Sequence, residues 1–118
     1  MLQNSEQLVR RNRELAESND HLCKELNRHK EALADAAKRL ESGELTAESI
    51  RTGGAPEMRM DLTESLAEFE AARHRVRVAL FALLGVEQQT SQSEIGRSLG
   101  ISRQLASRLA QEAEKTQL

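Results

Sequence analysis

Ser91–Lys115, SQSEIGRSLGISRQLASRLAQEAEK, reads as two short helices joined by a tight turn, and the rest of the chain is organised around it. Ser91 and Glu94 stand in the S-x-x-E relation of a capping box, in which each side chain satisfies a free backbone amide of the other. Gly100 can adopt the left-handed conformation that ends a helix, and Ser102 is a favoured N-cap for the next one. Ile95, Leu99, Ile101, Ala106 and Leu109 fall where two crossing helices would share a small core. Gly96 falls where those helices come closest.

This wording, EIGRSLGISRQLASRL above all, resembles the helix-turn-helix of bacterial transcription regulators, in its MarR-type and sigma-factor versions. The resemblance covers about 25 of the 118 residues. It implies that the helix opening after Ser102 is a recognition helix laid in the major groove of DNA. Arg103, Gln104, Ser107 and Arg108, with Ser102 at the helix mouth, are then the candidate groove contacts, and Ser91, Gln92 and Ser93 the candidate phosphate contacts. The chemistry suits the role, because arginine is bidentate to guanine, glutamine to adenine, and serine reaches bases or phosphate. Ala106 is smaller than the branched residue such a motif usually carries. Too few residues follow Leu109 for the β-wing of a MarR-type domain, so a wingless head is expected.

The composition is 38% hydrophobic, 2% aromatic and 31% charged, with Phe69 and Phe81 the only aromatic residues. That favours long helices with one small helical head over a large core, since the abundant Leu, Ala, Glu, Arg and Gln are good helix formers. The expected fold class is all-α: a parallel coiled coil over 1–42, a flexible linker over 43–60, and a long helix plus helix-turn-helix over 61–118. The net charge of −2 lacks the basic surplus of a protein that lives on phosphate contacts. From Val86 onward, Arg97, Arg103, Arg108 and Lys115 face Glu87, Glu94, Glu112 and Glu114, so one head alone should hold DNA weakly.

The N-terminal stretch follows a heptad frame with Leu8, Leu15 and Leu22 at d and Leu26, Leu33 and Leu40 at a. Asn12 and Asn19 occupy a in the first half, while His29 and Ala36 occupy d in the second. Asparagine at a is best satisfied by the same residue of an in-register partner, which argues for a parallel homodimer. In that dimer Glu25 would meet Lys30, and Arg39 would meet Glu44. Leu8, Asn12, Leu15, Asn19, Leu22, Leu26, Leu33 and Leu40 are therefore the expected oligomerisation residues. Alternatives are a single solvated helix packed on its own head, an antiparallel hairpin partner, and a hetero-oligomer.

Gly43 ends the clean repeat. Thr52–Pro56 reads as a hinge, within a linker of about 18 residues whose flexible span would be roughly 23 Å. A further helix is expected from Asp61, as its cap, to Leu84, with Gly85 stopping it. Its stripe Leu62, Leu66, Phe69, Val76, Leu80 and Leu83 is interrupted by Arg73. Leu80–Leu84 should pack beneath the helix-turn-helix, leaving Leu62–Phe69 to meet a second subunit. Arg73, His74, Arg75 and Arg77 form a basic patch, better read as solvated or paired, for instance Glu70 with Arg73 or His74, than as a phosphate contact.

Cys23 is the lone cysteine, so neither an intrachain disulfide nor a zinc-finger ligand set is expected. No metal and no cofactor is anticipated. A phosphate-cradling glycine loop, a nucleophile elbow and metal-ligand spacing are all missing, so no enzymatic activity is expected. The polar N-terminus is unlike a signal peptide, and no run is long enough to cross a bilayer. The expected setting is cytoplasmic and nucleoid-associated, with no membrane partner. The leading expectation is a DNA-binding transcription regulator of bacterial or phage type, acting as a coiled-coil dimer on double-stranded DNA. The second is an interaction adaptor whose near-neutral head docks on another protein.

Overall fold

The computed structural model describes residues 2–117, and those residues are all-α. Helix α1 spans Leu2–Glu41, α2 Ala47–Thr52, α3 Ala55–Phe81, α4 Gln92–Leu99 and α5 Arg103–Thr116; a wider π-helical turn, Ala82–Glu87, follows α3. The chain divides into two compact units. Of the described residues, the terminal unit contains 2–16 and 71–117, and the middle unit 17–70.

In the middle unit α1 and α3 run antiparallel as a hairpin. Arg28 of α1 reaches Asp61 of α3 at 3.5 Å, and Ala32 and Ala36 lie around the same cavity as Met58 and Ala55. Leu22 and Glu25 are buried on α1, as is Ser65 on α3, while Leu62 and Phe69 are half-buried. Glu25 is held there by Arg28, which donates to both of its carboxylate oxygens, at 3.0 and 2.8 Å.

This hairpin revises the expected seam. Along α1 the d positions Leu8, Leu15, Leu22, His29 and Ala36 are covered or half-covered, and so are the g positions Asn4, Arg11, Ser18, Glu25 and Ala32. The a positions Asn12, Asn19, Leu26, Leu33 and Leu40 are all exposed. The contact edge is thus rotated by roughly 60° from an a/d seam, on the 100° per residue of a helix. The two cross-chain pairs expected of a parallel dimer also find other arrangements. Glu25 is held by Arg28, and Arg39 by Asp35 at 2.9 Å.

The segment 43–60 is not a flexible linker. Thr46 and Ser49 cap α2 reciprocally, the Ser49 amide donating to Thr46 Oγ1 at 3.0 Å and the Thr46 amide to Ser49 Oγ at 2.9 Å. Helix α3 opens at Ala55, six residues before Asp61, because Pro56 is tolerated in a first turn whose amides have no intrahelical acceptor. Asp61 is accordingly a mid-helix residue and the partner of Arg28, not a cap. The break is confined to Ser42–Thr46, where Gly43 takes φ 73°, and to Gly53–Gly54, where Gly54 takes φ 83°. In Leu62–Phe69, expected to meet a second subunit, Ser65 is buried and Leu62 and Phe69 are half-buried within the single chain. Leu66 alone of that stripe's first part stays 45% exposed.

In the terminal unit the core consists of Phe81, Ala82, Ile95, Ala106, Leu109 and Ala113, with Val78, Leu84, Ile101, Leu105 and Ala110 packed around it. The end of α3 and the π turn therefore form the floor beneath α4 and α5, as the Leu80–Leu84 expectation required. Gly85 does not stop α3. It lies inside the π turn, where a Cβ would sit 3.5 Å from Ile95 Cδ1.

Candidate functional site

The helix-turn-helix geometry is built from local capping. Ser91 is the N-cap of α4, its hydroxyl accepting from the Glu94 amide at 3.2 Å. Only this half of the expected capping box forms. Gly100 ends α4 with φ 70°, and the Ile101 amide closes the turn on the Gly96 carbonyl at 3.1 Å. Ser102 then caps α5 by accepting from the Leu105 amide at 3.1 Å. The turn is short because a residue with φ > 0 reverses the chain in one step.

Two small residues decide how closely α4 and α5 cross. A Cβ placed on Gly96 would lie 3.2 Å from the Ala106 Cβ, tighter than ordinary contact. Ala106 is thus matched to Gly96: a branched residue here would hold the helices apart. Ile95 and Leu109, each 1% exposed, fill the space beside that crossing. Leu99 does not join them. It is 38% exposed, a correction to its expected place in the core.

The inward face of α5 carries Ala106, Leu109 and Ala113, so the outward face carries the candidate contacts. Ser102, Arg103, Gln104 and Arg108 are exposed and Ser107 is half-exposed. The steps Arg103 to Ser107 and Gln104 to Arg108 are both four residues, which gathers all four side chains over the first half of the helix. Ser91, Gln92 and Ser93 are exposed at the start of α4. Among the described residues, neither Arg103, Arg108 nor Arg97 is engaged in an ion pair. Their guanidiniums face water. Glu112, which would oppose them, is instead in contact with His74 Nε2 at 2.5 Å.

That contact was not readable from the sequence, which pointed to Glu70 as the neighbour of His74. It joins α3 to α5 across 38 residues and helps hold the rear of α5 to the floor. Arg75, another member of the basic patch, lies 3.7 Å from Glu14 of α1. The first turns of α1, through Gln3, Gln7 and Arg11, share a groove of about 340 Å³ with Arg75, Val78 and Glu112. Arg11 bonds Glu14 at 3.0 Å, and this hydrogen bond, with the charges of Arg11, Arg75 and Arg10, holds the Glu14 carboxyl below its usual value.

Of the expected oligomerisation residues, Leu22 is buried, Leu8 and Leu15 are half-buried, and Asn12, Asn19, Leu26, Leu33 and Leu40 are exposed. Cys23 is exposed, and no group of three metal-ligating side chains occurs among the described residues. No described helix is long and apolar enough to cross a membrane. A scan against family models and searches of curated proteins and solved structures find no match for this chain.

Proposed function

We propose that the protein is a sequence-reading DNA-binding regulator. On this reading the first half of α5 enters the major groove, and Ser91, Gln92 and Ser93 meet the flanking phosphates. The observation that carries it is the outward face of α5: four polar side chains gathered on one patch, two of them arginines without a carboxylate partner. Unpaired guanidiniums can bond guanine edges or phosphate without first breaking an internal ion pair.

The near-neutral charge still makes one head a weak binder, so the reading includes self-association. Its edge is the exposed row Leu26, Leu33 and Leu40, spaced by seven residues, with Leu66 as an additional exposed apolar residue of the same unit. Two linked heads gain effective concentration without any new DNA contact. Association with the nucleoid would follow from duplex binding.

The test is fluorescence anisotropy against a pool of random duplexes, then selection of the retained sequences. Arg103→Ala and Arg108→Ala should each cost about 1–3 kcal/mol of selective binding, with unchanged helicity. Unchanged affinity in both variants rejects the assignment. A protein-docking adaptor is the second reading, favoured by Val86 and Leu99, 39% and 38% exposed on the terminal unit. A duplex reader loses affinity steeply with salt, whereas an adaptor binds duplex at no salt concentration.

A further inference from the structure

At the corner where α1 passes through α2 into α3, the middle unit forms a half-open cavity of about 390 Å³. Its wall is mainly apolar, with Ala36 from α1, Leu45 and Ile50 from the α2 region and Met58 from α3, and Leu33 on its lip. Ile50 and Leu33 remain 46% and 59% exposed, so apolar surface is left in contact with water. Covering it is favourable in proportion to its area.

The charged groups on the wall are unequal. Asp35 and Arg39 are bonded to each other at 2.9 Å, and their charges cancel. Arg59 makes no ion pair or hydrogen bond with any described residue. His29, also on the wall, makes none either and retains a ring N–H for a ligand oxygen. The cavity thus pairs an apolar body with one unanswered, permanently charged guanidinium. That combination matches a molecule with a hydrocarbon part and an anionic end, because a planar guanidinium binds a carboxylate through two parallel hydrogen bonds.

We propose that this cavity binds a small amphipathic organic acid, its hydrocarbon part among Ala36, Leu45, Ile50 and Met58 and its carboxylate on Arg59. The volume lies near the lower end of the range for small-molecule sites, which suits a chain of about ten carbons better than a polycyclic ligand. A docked helix or second copy is a poorer fit. Its lining runs along α1 from His29 to Arg39, yet the one unanswered charge in it, Arg59, calls for a single anionic group rather than the run of polar contacts a docked helix makes. The site stands on the middle unit alone and does not depend on DNA reading.

The test is isothermal titration calorimetry of the full chain with decanoate and, as its uncharged counterpart, 1-decanol, each below its aggregation limit. Saturable one-to-one binding is expected, with decanoate about tenfold tighter through its charge-assisted hydrogen bonds. Arg59→Gln should abolish that preference and leave decanol binding unchanged. Ile50→Glu, which puts a carboxylate in the wall, should weaken both ligands, whereas Arg103→Ala should change neither. Arg59 and Ile50 are exposed, so both variants should keep the parent melting curve; should Ile50→Glu unfold, Arg59→Gln alone still decides. The proposal is overturned by the absence of saturable binding, by equal affinities for the two ligands, or by a preference that survives Arg59→Gln. It is also overturned if light scattering shows that binding disappears in step with self-association, which would give the cavity to a second copy.

Discussion

Gly96 and Ala106 together set the crossing of α4 and α5, and both would be unremarkable surface choices if judged by propensity alone. Glycine inside a helix is disfavoured by about 1 kcal/mol relative to alanine, so its place here is justified by space. Gly96→Val is expected to destabilise the terminal unit by about 1–3 kcal/mol through overpacking against Ala106. Ala106→Gly should restore part of that loss. Urea unfolding of the four members of the cycle measures the coupling, and strict additivity would show that the two residues do not meet. At this scale the caps were legible: Ser91, Gly100 and Ser102 act within three or four residues of themselves. Leu99 was not, because its exposure depends on the angle at which α5 crosses, and His74 was not, because its partner lies on a distant element.

For α1 the element, the heptad spacing correctly indicated a helix that pairs with another. It did not identify the partner. Leucines at a and d suit a second chain, yet the d and g positions are those covered, since a chain that folds back supplies α3 at high effective concentration without association. The Asn residues at a are then simply solvated. Glu14 and Arg75 tie the start of α1 to α3 within the terminal unit, and this tie has a pH dependence of known sign. Because Arg11, Arg75 and Arg10 depress the Glu14 pKa in the fold, its contribution is present above the usual value of 4.5 and fades as pH falls through the lower, folded value. Hydrogen exchange across Gln3–Ala16 is therefore expected to accelerate as pH falls below that range, relative to the intrinsic rate. Glu14→Gln should remove the step; its persistence would assign it to another group. Helix α3 was legible as a helix, but its start was misplaced because Asp61 carries the signature of a cap and Pro56 that of a hinge. Pro56 is equally at home in a first turn, and Asp61 faces Arg28.

For the whole molecule, the exposed row Leu26, Leu33 and Leu40 makes self-association a testable property separate from the hairpin. Leu26→Glu with Leu40→Glu should leave helicity intact and yield a monomer by light scattering, because neither side chain belongs to the buried contact. If paired heads sustain DNA binding, the same double variant should lose about a hundredfold or more in affinity. A parent chain that is already monomeric at working concentration would remove self-association from the proposed function. The amino-acid order by itself determined what is local: helical composition, the caps and turn of the helix-turn-helix, the end of α1 at Gly43, and the four-residue spacings that put Arg103, Gln104, Ser107 and Arg108 on one side of α5. Only the tertiary structure decided which edge of α1 is covered and which charges are cancelled by distant partners. The physical reason is that capping and periodicity act over a single turn of backbone. The choice among faces of similar hydrophobicity is made by whichever element the folded chain brings alongside.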